Sequence, residues 1–140
     1  MGTRPRLYDS VLADHLARRR QMAFVSGPRQ VGKTTTCRAL ATAYLNWDDV
    51  DDRRVLLAGP ARVAERAGLE KIRQRRPVVV LDELHKYRTW KSFLKGFFES
   101  YSADLRILVT GSARMGVFRR GGDSLMGRYF PYRMHPFSVA

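Results

Sequence analysis

The chain has 140 residues, 44% hydrophobic and 11% aromatic, enough for one compact domain with its own core. No apolar run approaches a membrane span and the opening MGTRPRLYDS holds no apolar signal core, so no membrane partner is expected and cytoplasm is the expected compartment. A single cysteine, Cys37, excludes an internal disulfide, and a net charge of +13, carried by 21 Arg against 5 Lys, sets up a field that attracts polyanions.

In chain order, residues 9–20 read as a helix, capped by Asp9 or Ser10, with Tyr8, Leu12 and Leu16 recurring every fourth position. MAFVS (22–26) is a short apolar strand. A Gly-rich loop follows, then a helix over 33–44, and YLNW (44–47) is a second strand ended by Asp48 and Asp49. Residues 51–58 and 61–75 read as helices broken by Gly59-Pro60. PVVVLD (77–82) has the continuous apolar pattern of a strand covered on both faces. Trp90, Phe93, Leu94, Phe97, Phe98 and Tyr101 fall at helical spacing; their stripe reads as core rather than as a base-stacking platform. LRILVTG (105–111) is another buried strand, followed by a short helix near 114–120 and a last strand near 129–134. Strands alternating with helices predict an α/β fold, a parallel sheet with helices on both faces.

Gly27-Pro28-Arg29-Gln30-Val31-Gly32-Lys33-Thr34 matches G-x-x-x-x-G-K-[ST], with a strand before it and a helix after it. The glycines let the backbone turn so that successive N–H groups point at phosphate oxygens, and the helix beginning near Lys33 adds its positive dipole end. Lys33 offers an ammonium to the β and γ phosphates of ATP, and the Thr34 hydroxyl can ligate Mg²⁺. Thr35 and Thr36 support the helix start. Cys37 reads as a small buried residue on that helix.

The strand at 77–82 ends in Asp82-Glu83. At a strand's C-terminal end, side chains reach the crevice where α/β folds bind ligands. Asp82 is placed to hold the magnesium and Glu83 to orient and deprotonate the attacking water. His85 either hydrogen-bonds near the γ phosphate or lies at the surface. Asp48 and Asp49 either cap the next helix or reach the metal's outer shell. At the polar tip of the fourth strand, Thr110 or Ser112 would sense the γ phosphate. The basic residues lie scattered, as in Arg18 to Arg20, Arg73, Arg75 and Arg76, and Arg119 and Arg120. They fit weak, sequence-independent nucleic-acid contact, a bias toward arginine, or a basic face that an acidic partner covers.

GPRQVGKTT, LDELHKYRTWKSFLKG, ILVTGSAR and GGDSLMGRYFPYRMHPFSVA together resemble the AAA-type ATPase domain of a prokaryotic family of archaeal-type, AAA+ superfamily ATPases, from Met22 to Ala140. The resemblance implies ATP binding, hydrolysis and a three-layer P-loop domain with strand order 5-1-4-3-2. It also implies that the chain is the ATPase core alone, because family members continue past PFS-x-A into a helical or winged-helix lid and a C-terminal domain. In AAA+ proteins an arginine placed like Arg128 reaches a neighbour's nucleotide, which would make a homo-oligomer the working form; the alternative is a surface arginine. Two other readings stand beside this one. Asp82-Glu83-Leu84-His85 fits the D-E-x-H box of helicases, and Gly111-Ser112-Ala113 is similar to their S-A-T motif, but helicase cores place the acid box farther from the P-loop than here. A nucleotide-gated binding module that hydrolyses little is the third.

Overall fold

Five short apolar runs pair edge to edge. They are β1 (Met22–Ser26), β2 (Ala43–Asn46), β3 (Val78–Asp82), β4 (Arg106–Gly111) and β5 (Tyr129–Arg133). Every pairing is parallel and the order is β2-β3-β4-β1-β5, the expected order read from the other edge. The computed structural model describes residues 4–26, 33–68, 76–111, 125 and 127–133, with the backbone alone at 4–9 and 33–36.

Strand side chains alternate between faces, so each strand feeds two cores. On one face Ala23, Val25, Val80 and Leu108 pack with Leu12 and Leu16 of α1 (Arg4–Arg18) and Cys37 of α2 (Lys33–Leu40). On the other, Phe24, Leu45, Val79, Leu81, Ile107 and Val109 meet α3 (Val50–Ala58), α4 (Pro60–Arg66) and α5 (Trp90–Tyr101) through Leu56, Val63, Leu94 and Phe97. The aromatic stripe of α5 is core, with Phe93, Leu94, Phe97 and Phe98 all buried. Burying each such side chain is worth roughly 1.5–3 kcal/mol, which is why this helix anchors the layer.

Several boundaries differ from the sequence reading. The first helix starts at Arg4, not at residue 9, because Pro5 suits a first helical turn and needs no cap from Asp9 or Ser10. α2 stops at Leu40, short of the expected end at 44, and β2 begins at Ala43, one residue earlier than expected. α3 is capped by Asp49, whose carboxylate accepts from the Asp52 N–H at 2.9 Å. Gly59, at φ 111°, takes the break that lets Pro60 open α4. β5 is an edge strand, and Pro131 is tolerated there because an edge position need not donate to a further strand. The expected short helix near 114–120 lies outside the described residues. No described helix is long and apolar enough to cross a membrane.

Candidate functional site

The parallel sheet fixes where the motif residues meet. β1 ends at Ser26, beside Gly111 of β4, and α2 begins at Lys33. α2 packs over β3 and β4. Its C-terminal end lies at the opposite edge of the sheet, since Thr42 N donates to Val78 O at 2.8 Å where β3 starts. The N-terminus of α2 is therefore at the edge where β1, β3 and β4 end, the edge at which open α/β sheets bind ligands. The N–H groups and positive dipole end that a helix start presents suit an anion there. Lys33, Thr34 and Thr35 form the first turn of that helix. Their side chains, and Gly27, Pro28, Arg29, Gln30, Val31 and Gly32, lie outside the described residues, as does Ser112.

Asp82, the last residue of β3, is the best defined group of the site. It is 4% exposed. The Thr110 hydroxyl donates to its Oδ1, and the Tyr44 hydroxyl donates to its Oδ2. Register explains the convergence. Asp82 lies beside Thr110 on β4, and Tyr44 sits opposite Val80 on β2, on the same face. Burial, and then the hydrogen bond to Asp82 with its charge, push the Tyr44 hydroxyl well above the ordinary tyrosine range. Both hydroxyls therefore stay protonated and donate. Each carboxylate oxygen keeps lone-pair capacity beyond its one hydroxyl partner. Among the described residues no basic side chain pairs with Asp82. A buried carboxylate in that condition favours a cation.

Glu83 follows at a turn. Its φ of 57° and ψ of 28° make it the one described non-glycine residue in the left-handed region. Such backbone costs on the order of 1–3 kcal/mol and concentrates at functional sites. The turn is pinned from both sides: Glu83 N donates to Thr110 O at 3.1 Å, and Lys86 N donates to Glu83 O at 3.1 Å. Glu83 Oε1 lies 3.5 Å from Lys86 Nζ and 3.6 Å from His85 Nε2. Lys86 Nζ in turn donates to both carboxylate oxygens of Asp48 at 2.9 Å. That hydrogen bond, with the Glu83 charge beside it, holds the ammonium above the ordinary lysine range.

The structure thus brings Asp82, Glu83, His85, Thr110 and Asp48 to one edge, together with the start of α2. Asp49 takes the cap role considered for the pair, whereas Asp48 pairs with Lys86, a role the sequence did not suggest. Arg128 is not part of this group. It precedes β5, at the end where Met22 N donates to Arg128 O at 2.8 Å, and its guanidinium pairs with Glu99 of α5 at 2.8 Å. The full length of a strand separates it from the site of its own chain. Two participants escaped the sequence reading. Tyr44 was placed in the second strand but given no role in the site; its signal was the A-Y-L-N alternation, which puts Tyr44 and Asn46 on one face. Lys86 showed no signal, because its link to Asp48 spans 38 positions.

A five-stranded parallel sheet in this order, with an acidic pair ending β3 and a helix opening on a phosphate-loop motif, defines a nucleotide-binding α/β module of the P-loop class. Residues 19–140 match the family model for the AAA domain, and the chain belongs to that family. Solved structures similar in fold include these two. One is Drosophila ORC bound to DNA, with TM-score 0.59 at 11% identity over 94% of this chain and 90% of that one. The other is C. elegans PCH-2, with TM-score 0.52 at 15% identity over 94% of this chain and 40% of that one, so the chain spans less than half of it. No match is found among curated proteins.

Proposed function

We propose that this AAA domain binds Mg-ATP at the C-terminal edge of its sheet and hydrolyses it, coupling the two to a change of conformation, in the cytoplasm. The observation that carries the reading is Asp82: a buried carboxylate with no basic partner among the described residues, aimed by Tyr44 and Thr110 at the edge where α2 begins. The donor set fits magnesium held with its nucleotide. The described residues contain no group of three or more His, Cys, Asp or Glu that could cage a metal. Magnesium is typically bound through one or two carboxylates together with substrate phosphates and water. Asp82 and Thr34 would hold it, and when bound it would neutralise charge on the phosphates.

Residues 27–34 would bind the phosphates through backbone N–H groups, with Lys33 supplying its ammonium. Glu83 would take the proton of the attacking water on its carboxylate. Arg128, if it acts on nucleotide, acts on a neighbouring copy's, which is the reason to include a homo-oligomer in this reading. Nucleic acid enters it as the partner of a +13 chain that is similar in fold to a protein solved on DNA.

A nucleotide-gated switch with little hydrolysis is favoured by one observation, the ion pairing of Glu83 Oε1 with Lys86. One experiment decides between them. Mg-ATP at a hundredfold excess over its dissociation constant should stabilise the fold by about 2.7 kcal/mol, and Lys33→Ala should abolish the shift. Single-turnover hydrolysis should be present in the parent and lost in Glu83→Gln with binding kept. An unshifted midpoint in the parent defeats the binding claim. Binding without turnover leaves the switch.

A further inference from the structure

Arg106 opens β4 and is only 9% exposed, yet among the described residues no carboxylate pairs with it. Its Nε donates to Leu16 O at 3.1 Å, and its Nη1 donates to Ser102 O at 3.0 Å and Leu105 O at 3.3 Å. All three acceptors are neutral carbonyls. Two more guanidiniums reach the same turn: Arg20 Nε donates to Ser102 Oγ and Arg76 Nε to Ala103 O, both at 2.9 Å. Among the described residues no Asp or Glu pairs with any of the three. Their neighbours are treated differently: Arg18 pairs with Asp14 and Arg128 with Glu99, each at 2.8 Å.

The local fields do not balance. The turn follows α5, and Leu16 lies in the last turn of α1, so two helix C-termini face the cluster. Each contributes roughly half a negative charge. Three guanidiniums against about one negative charge from the helix ends and the exposed carboxylate of Asp104 in the same turn leave a positive excess of about one. Burial and the charges of Arg76 and Arg20 lower the pKa of Arg106, the expected sign of mutual repulsion. A partly buried cationic cluster of this kind is completed by an anion. Arginine's planar fork suits phosphate oxygens, and the remaining Nη groups of Arg20 and Arg76 point from exposed side chains.

From the convergence of Arg20, Arg76 and Arg106 on the Ser102–Ala103 turn, at the sheet edge opposite Asp82, we infer that this turn is a binding site for the phosphodiester backbone of nucleic acid. The inference deepens the reading that nucleic acid is a partner and is independent of the ATPase reading. Phe98, beneath Arg20 at 5.5 Å, is buried and offers no face for a base, so recognition is of phosphate alone and independent of sequence. The site lies at the far end of the strands from the nucleotide, so the two ligands do not compete.

The test is fluorescence anisotropy of labelled 20-nucleotide single-stranded and duplex DNA, titrated with the chain from 50 to 200 mM salt. Arg20→Gln/Arg76→Gln should weaken binding at least about tenfold at 50 mM and lower the salt slope by about two, one per lost phosphate contact. The charge-matched control Arg54→Gln/Arg62→Gln, on α3 and α4, should change affinity less than about twofold. If the double variant melts early, Arg76→Gln alone, which gives up one bond to Ala103 O, should still lower the slope by about one. Absence of DNA binding at 50 mM salt defeats the partner reading and the site together. DNA binding that both double variants weaken equally defeats the site and leaves a diffuse field. Displacement of DNA by inorganic phosphate at matched ionic strength assigns the site to a small free anion, and displacement by Mg-ATP moves the DNA to the nucleotide edge; either overturns the inference.

Discussion

Tyr44→Phe tests the core of the candidate site. The substitution removes one hydroxyl and keeps the ring, so the Arg38 guanidinium 4.4 Å above it retains its contact. What is lost is a hydrogen bond to a buried carboxylate, worth roughly 1.5–3 kcal/mol. For 140 residues the unfolding entropy makes 1 kcal/mol about 3 °C, so the midpoint should fall by about 5–10 °C at pH 7. The pH dependence adds a sign. The Tyr44 pKa is raised in the fold, so its contribution is complete below the unfolded value of about 10 and is lost as pH rises through the folded value. Above pH 10 the parent's advantage over the variant should shrink by at most about 1.4 kcal/mol per pH unit. Urea unfolding of both proteins from pH 7 to 11 reads both quantities. A variant within about 0.5 kcal/mol of the parent at pH 7, or a difference constant through pH 11, would refute the reasoning.

Three further outcomes follow from the same contacts. Thr110→Val, close to isosteric, should destabilise by roughly 1.5–3 kcal/mol and weaken the magnesium dependence of ATP binding, whereas Thr110→Ser should keep both; calorimetry with and without magnesium reads the difference. His15 is buried, its Nε2–H donating to Gln21 O and its Nδ1 accepting from the Tyr132 hydroxyl, each at 2.7 Å, and burial foremost, with Arg19 and Arg106 adding to it against the Gln21 hydrogen bond and Asp14, lowers its pKa. Its stabilisation is therefore fully present above about pH 6.5 and is lost, by at most about 1.4 kcal/mol per unit, as pH falls from there through the lower folded pKa, a slope that His15→Gln should flatten in denaturant titrations from pH 7.5 to 5. If Arg128 serves a neighbour's nucleotide, ATPase activity per chain should rise with protein concentration, and mixing Arg128→Ala with Lys33→Ala should restore activity; a silent mixture returns Arg128 to its pairing with Glu99.

The sequence by itself determined the architecture, because the pattern that reports it is local. Apolar runs such as VVVLD and ILVTG mark strands covered on both faces, and the Trp90 to Tyr101 spacing marks α5 to the residue. Asp82 and Glu83 stood out because they end an apolar strand downstream of a phosphate-loop motif. Boundaries were less legible where neighbouring elements have similar composition, as at the join of α2 and β2, where tertiary pairing of Ala43 with Val79 claimed residues that helix propensity would have kept. Only the tertiary structure decided which groups meet. The hydroxyls that aim Asp82 come from strands on either side of it, and the cluster at Ser102–Ala103 gathers residues from positions 20, 76 and 106. Parallel register places such residues side by side whatever their separation along the chain, and hydrogen bonds across that register leave no periodicity in the sequence to read.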